Sequence, residues 1–96
     1  MTSKSSDKPR QTIIWYRGAP YVLDLVSCRR ALVRRQVEGE LHNMTSLAVA
    51  ASVSRSTASR FFSGRSTSLS ATLRILKALH LEFGNVATAA SEEQLA

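Results

Sequence analysis

Arg55, Ser56, Ser59 and Arg60 lie within six consecutive residues, and no Asp or Glu occurs between Leu41 and Leu81. An arginine presents two parallel donors that match O6 and N7 of guanine, and a serine hydroxyl donates or accepts at base edges and phosphates. On a helical wheel of roughly 100° per residue, Arg55, Ser59, Ser63, Ser56 and Arg60 fall on one arc of about 140°. Ala58, Phe61, Phe62 and Thr57 occupy the opposite side. A merely solvated helix face would carry Glu and Lys, so an acid-free arc of arginines and short hydroxyls favours contact with a polyanion.

Other chemistry is poorly supplied. One cysteine, Cys28, and two histidines, His42 and His80, do not make a zinc quartet. The sequence offers no paired carboxylates, phosphate loop or nucleophile–base pair, so an enzyme is not expected, nor a cofactor or metal. Cys28 reads as an inert small core residue. Thirteen Lys and Arg against seven Asp and Glu leave a net charge of +6, which suits a nucleic acid or an anionic surface. At 44% hydrophobic the chain is too apolar for a wholly disordered protein, yet its apolar runs are too short to span a membrane. The first residues carry charge without a following apolar stretch, so no signal peptide is expected.

The elements that must hold the arc follow from caps and breakers. Residues 1–11, with Lys4, Lys8 and Arg10, read as a disordered basic arm, and residues 91–96 as a disordered tail. Between them, residues 12–90 form one expected domain. Ile13-Ile14-Trp15-Tyr16 and Tyr21-Val22-Leu23 flank Arg17-Gly18-Ala19-Pro20, a pattern for a short strand or hairpin over 12–23. Asp24 can cap a helix from Leu25 to about Glu38, ended by Gly39. Asn43 or Thr45 can cap a helix through Ala51, Ser54 one over 55–63 ended by Gly64, and Ser68 one over 69–79. A further turn of helix is expected over Val86 to Ala90. Leu47, Val53, Phe61, Leu69, Leu73 and Leu76 are the expected anchors, with Leu81 and Phe83 as core plugs. The class is therefore mainly α, with four to five packed helices.

Residues 44–64 resemble a helix-turn-helix of the Cro and phage-repressor family, the lambda-repressor-like class also known from xenobiotic-response-element regulators. The resemblance is carried by Leu47 and Ala48, Val53-Ser54 at the turn, Arg55-Ser56-Thr57 opening the second helix and Phe61-Phe62-Ser63-Gly64 closing it. Ser68-Leu69 and Leu73 through Leu81 continue it, and it spans roughly Leu25 to Ala90. It departs at Ser52, where glycine is usual, and at Ala58, where a β-branched residue is. The segment 53–60 is also similar to the lac repressor family, but a long helix ahead of the motif fits the Cro-like class better.

The resemblance implies a sequence-specific regulator of transcription, a repressor, that binds double-stranded DNA as a homodimer on a near-palindromic operator. It implies base contacts from Arg55, Ser56, Ser59 and Arg60. Expected phosphate contacts are Asn43, Thr45, Ser54, Thr57 and Ser63, with Arg65, Ser66 and Thr67 in the loop that touches the backbone in this family. The expected location is cytoplasmic, in the bacterial cytosol or nucleoid, or the host cytosol for a phage protein. The alternative is an antitoxin-type interaction module that also binds DNA. No membrane partner and no small-molecule ligand are expected. The first helix carries two apolar stripes, Leu25/Cys28/Leu32 and Val26/Val33/Val37, which implies two packing partners. Arg30 and Arg34 share an outer face with Glu38. For the dimer contact the candidates are the aromatic segment with Trp15, Tyr16 and Tyr21, and the end carrying Leu81, Phe83 and Val86, with the latter slightly favoured.

Overall fold

A computed structural model describes residues 12–91 and Leu95; the arm and most of the expected tail lie outside the described residues. The chain begins with strands β1 (Thr12–Tyr16) and β2 (Ala19–Leu23). They pair antiparallel, with Thr12 opposite Leu23 and Tyr16 opposite Ala19, which leaves Arg17-Gly18 as a two-residue loop. Both loop residues have positive φ, 54° and 79°, as a type I′ turn requires, and Gly18 takes that conformation without a Cβ penalty. The Arg17 guanidinium lies 5.4 Å from the Tyr16 ring centroid, a cation–π contact at the turn.

Helices α1 (Leu25–Val37), α2 (Met44–Ala51), α3 (Arg55–Phe62), α4 (Leu69–Ala78) and α5 (Phe83–Val86) follow. Asp24, Asn43, Ser54 and Ser68 each accept a bond from the backbone N–H three residues on, the N-caps expected from residue type. The C-terminal ends of α1 to α4 share one solution. In each, the residue past the helix is left-handed (Gly39, Ser52, Gly64 and His80), and paired bonds return to the last turn. In α3, for example, Gly64 donates to Phe61 and Arg65 to Arg60, the Schellman arrangement.

One core joins these elements. Cys28, Leu47, Ala58, Phe61, Ile75 and Leu76 are almost completely buried, with Leu23, Leu41, Leu79 and Val86 around them. The apolar side of α3 enters this core through Ala58, Phe61 and Phe62 against α2, α4 and α1. Burying side chains of this size stabilises by about 1.5–3 kcal/mol each before chain entropy is subtracted.

The fold departs from the expectation of a mainly α chain in its C-terminal segment. The last helical turn is Phe83–Val86, and Ala87–Ala89 is a third strand, β3, antiparallel to β2. The open edge of β2 supplies bonding partners that the local sequence does not reveal, so Ala87–Ala89, within the segment expected to be helical over Val86–Ala90, completes a β1-β2-β3 sheet. Among the described residues the architecture is thus five helices with a small antiparallel sheet that joins β1 and β2 to β3. Two further expectations are corrected. Leu73 is exposed while Ile75 takes the core position, and only one stripe of α1 finds a partner. Leu25 and Cys28 are buried and Leu32 half-buried, whereas Val26, Val33 and Val37 remain 49%, 55% and 81% exposed. α1 packs against α3 and α5, and its Val26/Val33/Val37 stripe stays uncovered among the described residues.

Candidate nucleic-acid interface

α2, the turn at Ser52-Val53 and α3 form a continuous helix–turn–helix unit. Leu47, Ala48 and Ala51 of α2 are buried beside Ala58 and Phe61 of α3, and the small side chains at 48, 51 and 58 allow close approach. Ser52 sets the turn with φ 58° and ψ 43°, in the left-handed region. Val53 is half-buried against the core. Ser52 thus holds a backbone conformation that favours glycine, which leaves a serine in a strained region.

α3 is pinned at both ends. The Ser54 hydroxyl accepts from the Thr57 amide at 3.0 Å and donates to the Thr57 hydroxyl at 2.9 Å. At the other end, Arg29 of α1 donates from Nε and Nη2 to the Phe62 carbonyl at 3.0 and 2.7 Å. The Gly64 carbonyl receives the Thr12 hydroxyl at 3.4 Å, so β1 also braces the helix exit. These anchors fix the direction of the exposed face.

Arg55, Ser56, Ser59, Arg60 and Ser63 are all exposed, while Ala58, Phe61 and Phe62 are buried, as the helical wheel requires. Arg55 makes no hydrogen bond or ion pair among the described residues, and its donors are free. The Arg60 guanidinium lies 3.5 Å from the Ser66 carbonyl, at the long limit of a hydrogen bond, which places it over the following loop. No acidic residue occurs in α2, α3, α4 or the loops joining them. The face therefore carries an uncompensated positive field.

The residues expected to meet phosphate divide into two groups. Thr45, Arg65 and Ser66 are exposed and available. Asn43, Ser54, Thr57, Ser63 and Thr67 already have structural bonds. Asn43 caps α2 through the Ser46 amide at 2.9 Å, and Ser63 donates to the Arg60 carbonyl at 3.0 Å. Thr67 is half-buried and shares a 2.9 Å bond with Thr72, which itself donates to the Ser68 carbonyl. A hydroxyl or amide oxygen used in this way keeps spare capacity, but its orientation serves the fold first. Among the described residues, no hydrogen bond links Asn43 or Thr45 to the α3 face.

Sequence reasoning missed the cations that hold helix ends. Arg29 serves α3, Arg35 donates to the Ala78 carbonyl at the end of α4, and Arg74 donates to the Ser52 carbonyl at 3.3 Å. For Arg29 and Arg74 the available signal was the lack of an acidic neighbour at helical spacing, combined with helix ends that need donors; Arg35, with Glu38 three residues on, gave no such signal. Cys28 lies on the buried side of α1, and burial, helped by the Asp24 charge, pushes its thiol pKa up to about 12. Burial and the raised pKa both keep the thiolate form scarce at neutral pH.

Among the described residues, no helix is long and apolar enough to cross a membrane. Comparison with known proteins adds no relative: no family model, curated protein or solved structure matches this chain.

Proposed function

We propose that α3 is the recognition helix of a lambda-repressor-like helix-turn-helix, and that the protein is a sequence-specific, double-stranded DNA-binding repressor. The observation that carries this reading is the two-sided character of α3: Ala58, Phe61 and Phe62 locked in the core, Arg55, Ser56, Ser59 and Arg60 presented to solvent with no acid nearby. Arg55 and Arg60 read base edges, Ser56 and Ser59 support them, and Thr45, Arg65 and Ser66 fix register on the backbone. Occupying an operator in this way blocks transcription sterically, without catalysis.

A single α3 offers few base-reading side chains, so two copies on a near-palindromic site supply the discrimination a genome demands. The pairing surface favoured from sequence does not support this role. Phe83 stacks 4.8 Å from Tyr16 and 5.4 Å from Tyr21, and Val86 is buried, so that end closes the protein's own sheet. Trp15, 58% exposed on β1, is the better contact for a second copy. The exposed Val26/Val33/Val37 stripe supports a second reading, an antitoxin-type module with a protein partner there. Arg30 and Arg34 beside the stripe disfavour symmetric self-pairing at that place, and an acidic partner would fit it.

Selection of bound duplexes from a random pool, with protein mass measured in solution, tests the proposal. A two-fold symmetric consensus with half-sites about 34–36 Å apart supports it. Recovery of unenriched sequence at every round would remove it, and purification with a stoichiometric protein partner would favour the antitoxin reading.

A further inference from the structure

A cavity of ≈ 550 Å³ opens between the C-terminal ends of α2 and α4 and the side of α1. Arg35, Ser52, Arg74, Lys77 and His80 line it over a floor of alanines, and none of its described lining residues is acidic. It takes no part in the α3 face.

The simplest account of these cations is that they neutralise helix ends. That account covers part of the observation. Arg74 donates one N–H to the Ser52 carbonyl, and Arg35 one to the Ala78 carbonyl. A guanidinium carries five N–H donors, so each keeps others. Arg35 Nε lies 2.6 Å from Glu40 Oε1, an ion pair without hydrogen-bond alignment, and this settles one of three permanent positive charges. Arg74 and Lys77 have no carboxylate partner among the described residues. Most helix-end carbonyls that would repel an anion here are already bonded: Ala48, Val49, Leu76 and Lys77 by the return bonds, Ser52 and Ala78 by the two arginines; those of Ala50 and Ala51 are left for the cations to offset.

The backbone adds an independent observation. Of the four left-handed helix ends, two carry glycine, Gly39 and Gly64, and two carry side chains at φ 58° and 61°, Ser52 and His80. Both side-chain-bearing ends line this one cavity. A hydroxyl and an imidazole are hydrogen-bond donors that glycine would delete, and strain of this kind persists where the side chain has a use. The arginines are held in place by their carbonyl bonds, so ordering them for a ligand costs little more.

We propose that this cavity is a phosphoryl-anion site, in which Arg74 and Lys77 supply charge and Ser52 and His80 supply directed donors. Arg35 closes one wall. Its occupant is a phosphorylated small molecule or a backbone phosphate of bound duplex, and it stands whether or not α3 reads DNA. Because Ser52 precedes the Ser54 cap of α3 by two residues, occupancy acts next to the helix-turn-helix turn.

The test titrates the isotopically labelled full chain with pyrophosphate at constant ionic strength and follows backbone amide shifts. Saturable shifts centred on Ser52 and residues 77–81 are expected. Lys77→Ala combined with His80→Gly should weaken binding about tenfold or more, since it removes a charge and a charge-assisted bond. The glycine suits a left-handed position, so this variant keeps the fold. Arg55→Ala should leave pyrophosphate binding unchanged. Unsaturable shifts, or binding lost with Arg55→Ala and retained in the double variant, would overturn the proposal. A random-sequence duplex identifies the source. With saturable binding in hand, a salt slope reduced by about one in the double variant assigns the DNA backbone, and an unchanged slope assigns a free phosphorylated molecule.

Discussion

Replacing Ser52 by glycine tests the turn on which the orientation of α3 depends. Ser52 sits at φ 58° and ψ 43°, with its amide bonded to Val49 and its carbonyl accepting from Arg74. These are backbone groups, so glycine keeps both bonds. A side chain in the left-handed region costs roughly 1–2 kcal/mol. Glycine removes that cost but loses about 0.5–1 kcal/mol through the greater freedom of the unfolded chain. The net expectation is a gain of about 0.5–1 kcal/mol. For a domain of this size that raises Tm by roughly 2–8 °C. Thermal and urea unfolding of both proteins, with the m-value unchanged, reads this directly. A fall in Tm with the fold intact would show that Ser52 does not hold a left-handed conformation, and the turn geometry argued here would fail with it.

Other expectations follow from single contacts. Asp24→Ala removes the α1 cap and should cost about 0.5–2 kcal/mol by urea unfolding. The Ser27 hydroxyl and amide hold the Asp24 pKa below its ordinary 3.8. Its contribution is therefore present above the unfolded-state value and lost as pH falls through the folded one, so wild type and Asp24→Asn should converge in acid and separate toward neutrality. A gap independent of pH would contradict the assignment. Phe83→Ala opens the Tyr16–Tyr21–Phe83 cluster and should lower stability by about 3 kcal/mol, discounted for partial exposure. An unchanged Tm with loss of self-association would return Phe83 to a dimer surface. Cys28, buried with its thiol raised to about 12, should resist iodoacetamide at pH 8 in the native protein and react on unfolding.

The helices were legible in the sequence because their punctuation is local. Asp24, Asn43, Ser54 and Ser68 act within three residues of themselves, and Gly39 and Gly64 end helices by their own conformational freedom. The two faces of α3 were legible for the same reason, since a period of 3.6 sorts Arg55 from Phe61 without tertiary information. β3 was not, because Ala87-Thr88-Ala89 becomes a strand only beside β2, more than sixty residues earlier in the chain. The idle valine stripe of α1 was misread because periodicity shows that a face is apolar and says nothing of whether a neighbour covers it. The basic cavity escaped for a related reason: Arg35 lies on α1, Ser52 ends α2, and Arg74 and His80 belong to α4 and its end, so only the packing of three helices brings them together.

The central claim is that α3 reads bases through Arg55 and Arg60. The most direct measurement compares wild type, Arg55→Ala and Arg60→Ala on a selected duplex and on a random duplex of equal length, at one salt concentration. The account predicts a loss of about 1–3 kcal/mol per variant on the selected duplex, a much smaller loss on the random one, and relaxed preference at particular base pairs. Equal weakening on both duplexes, with no change in preference, would contradict it and make these arginines backbone contacts.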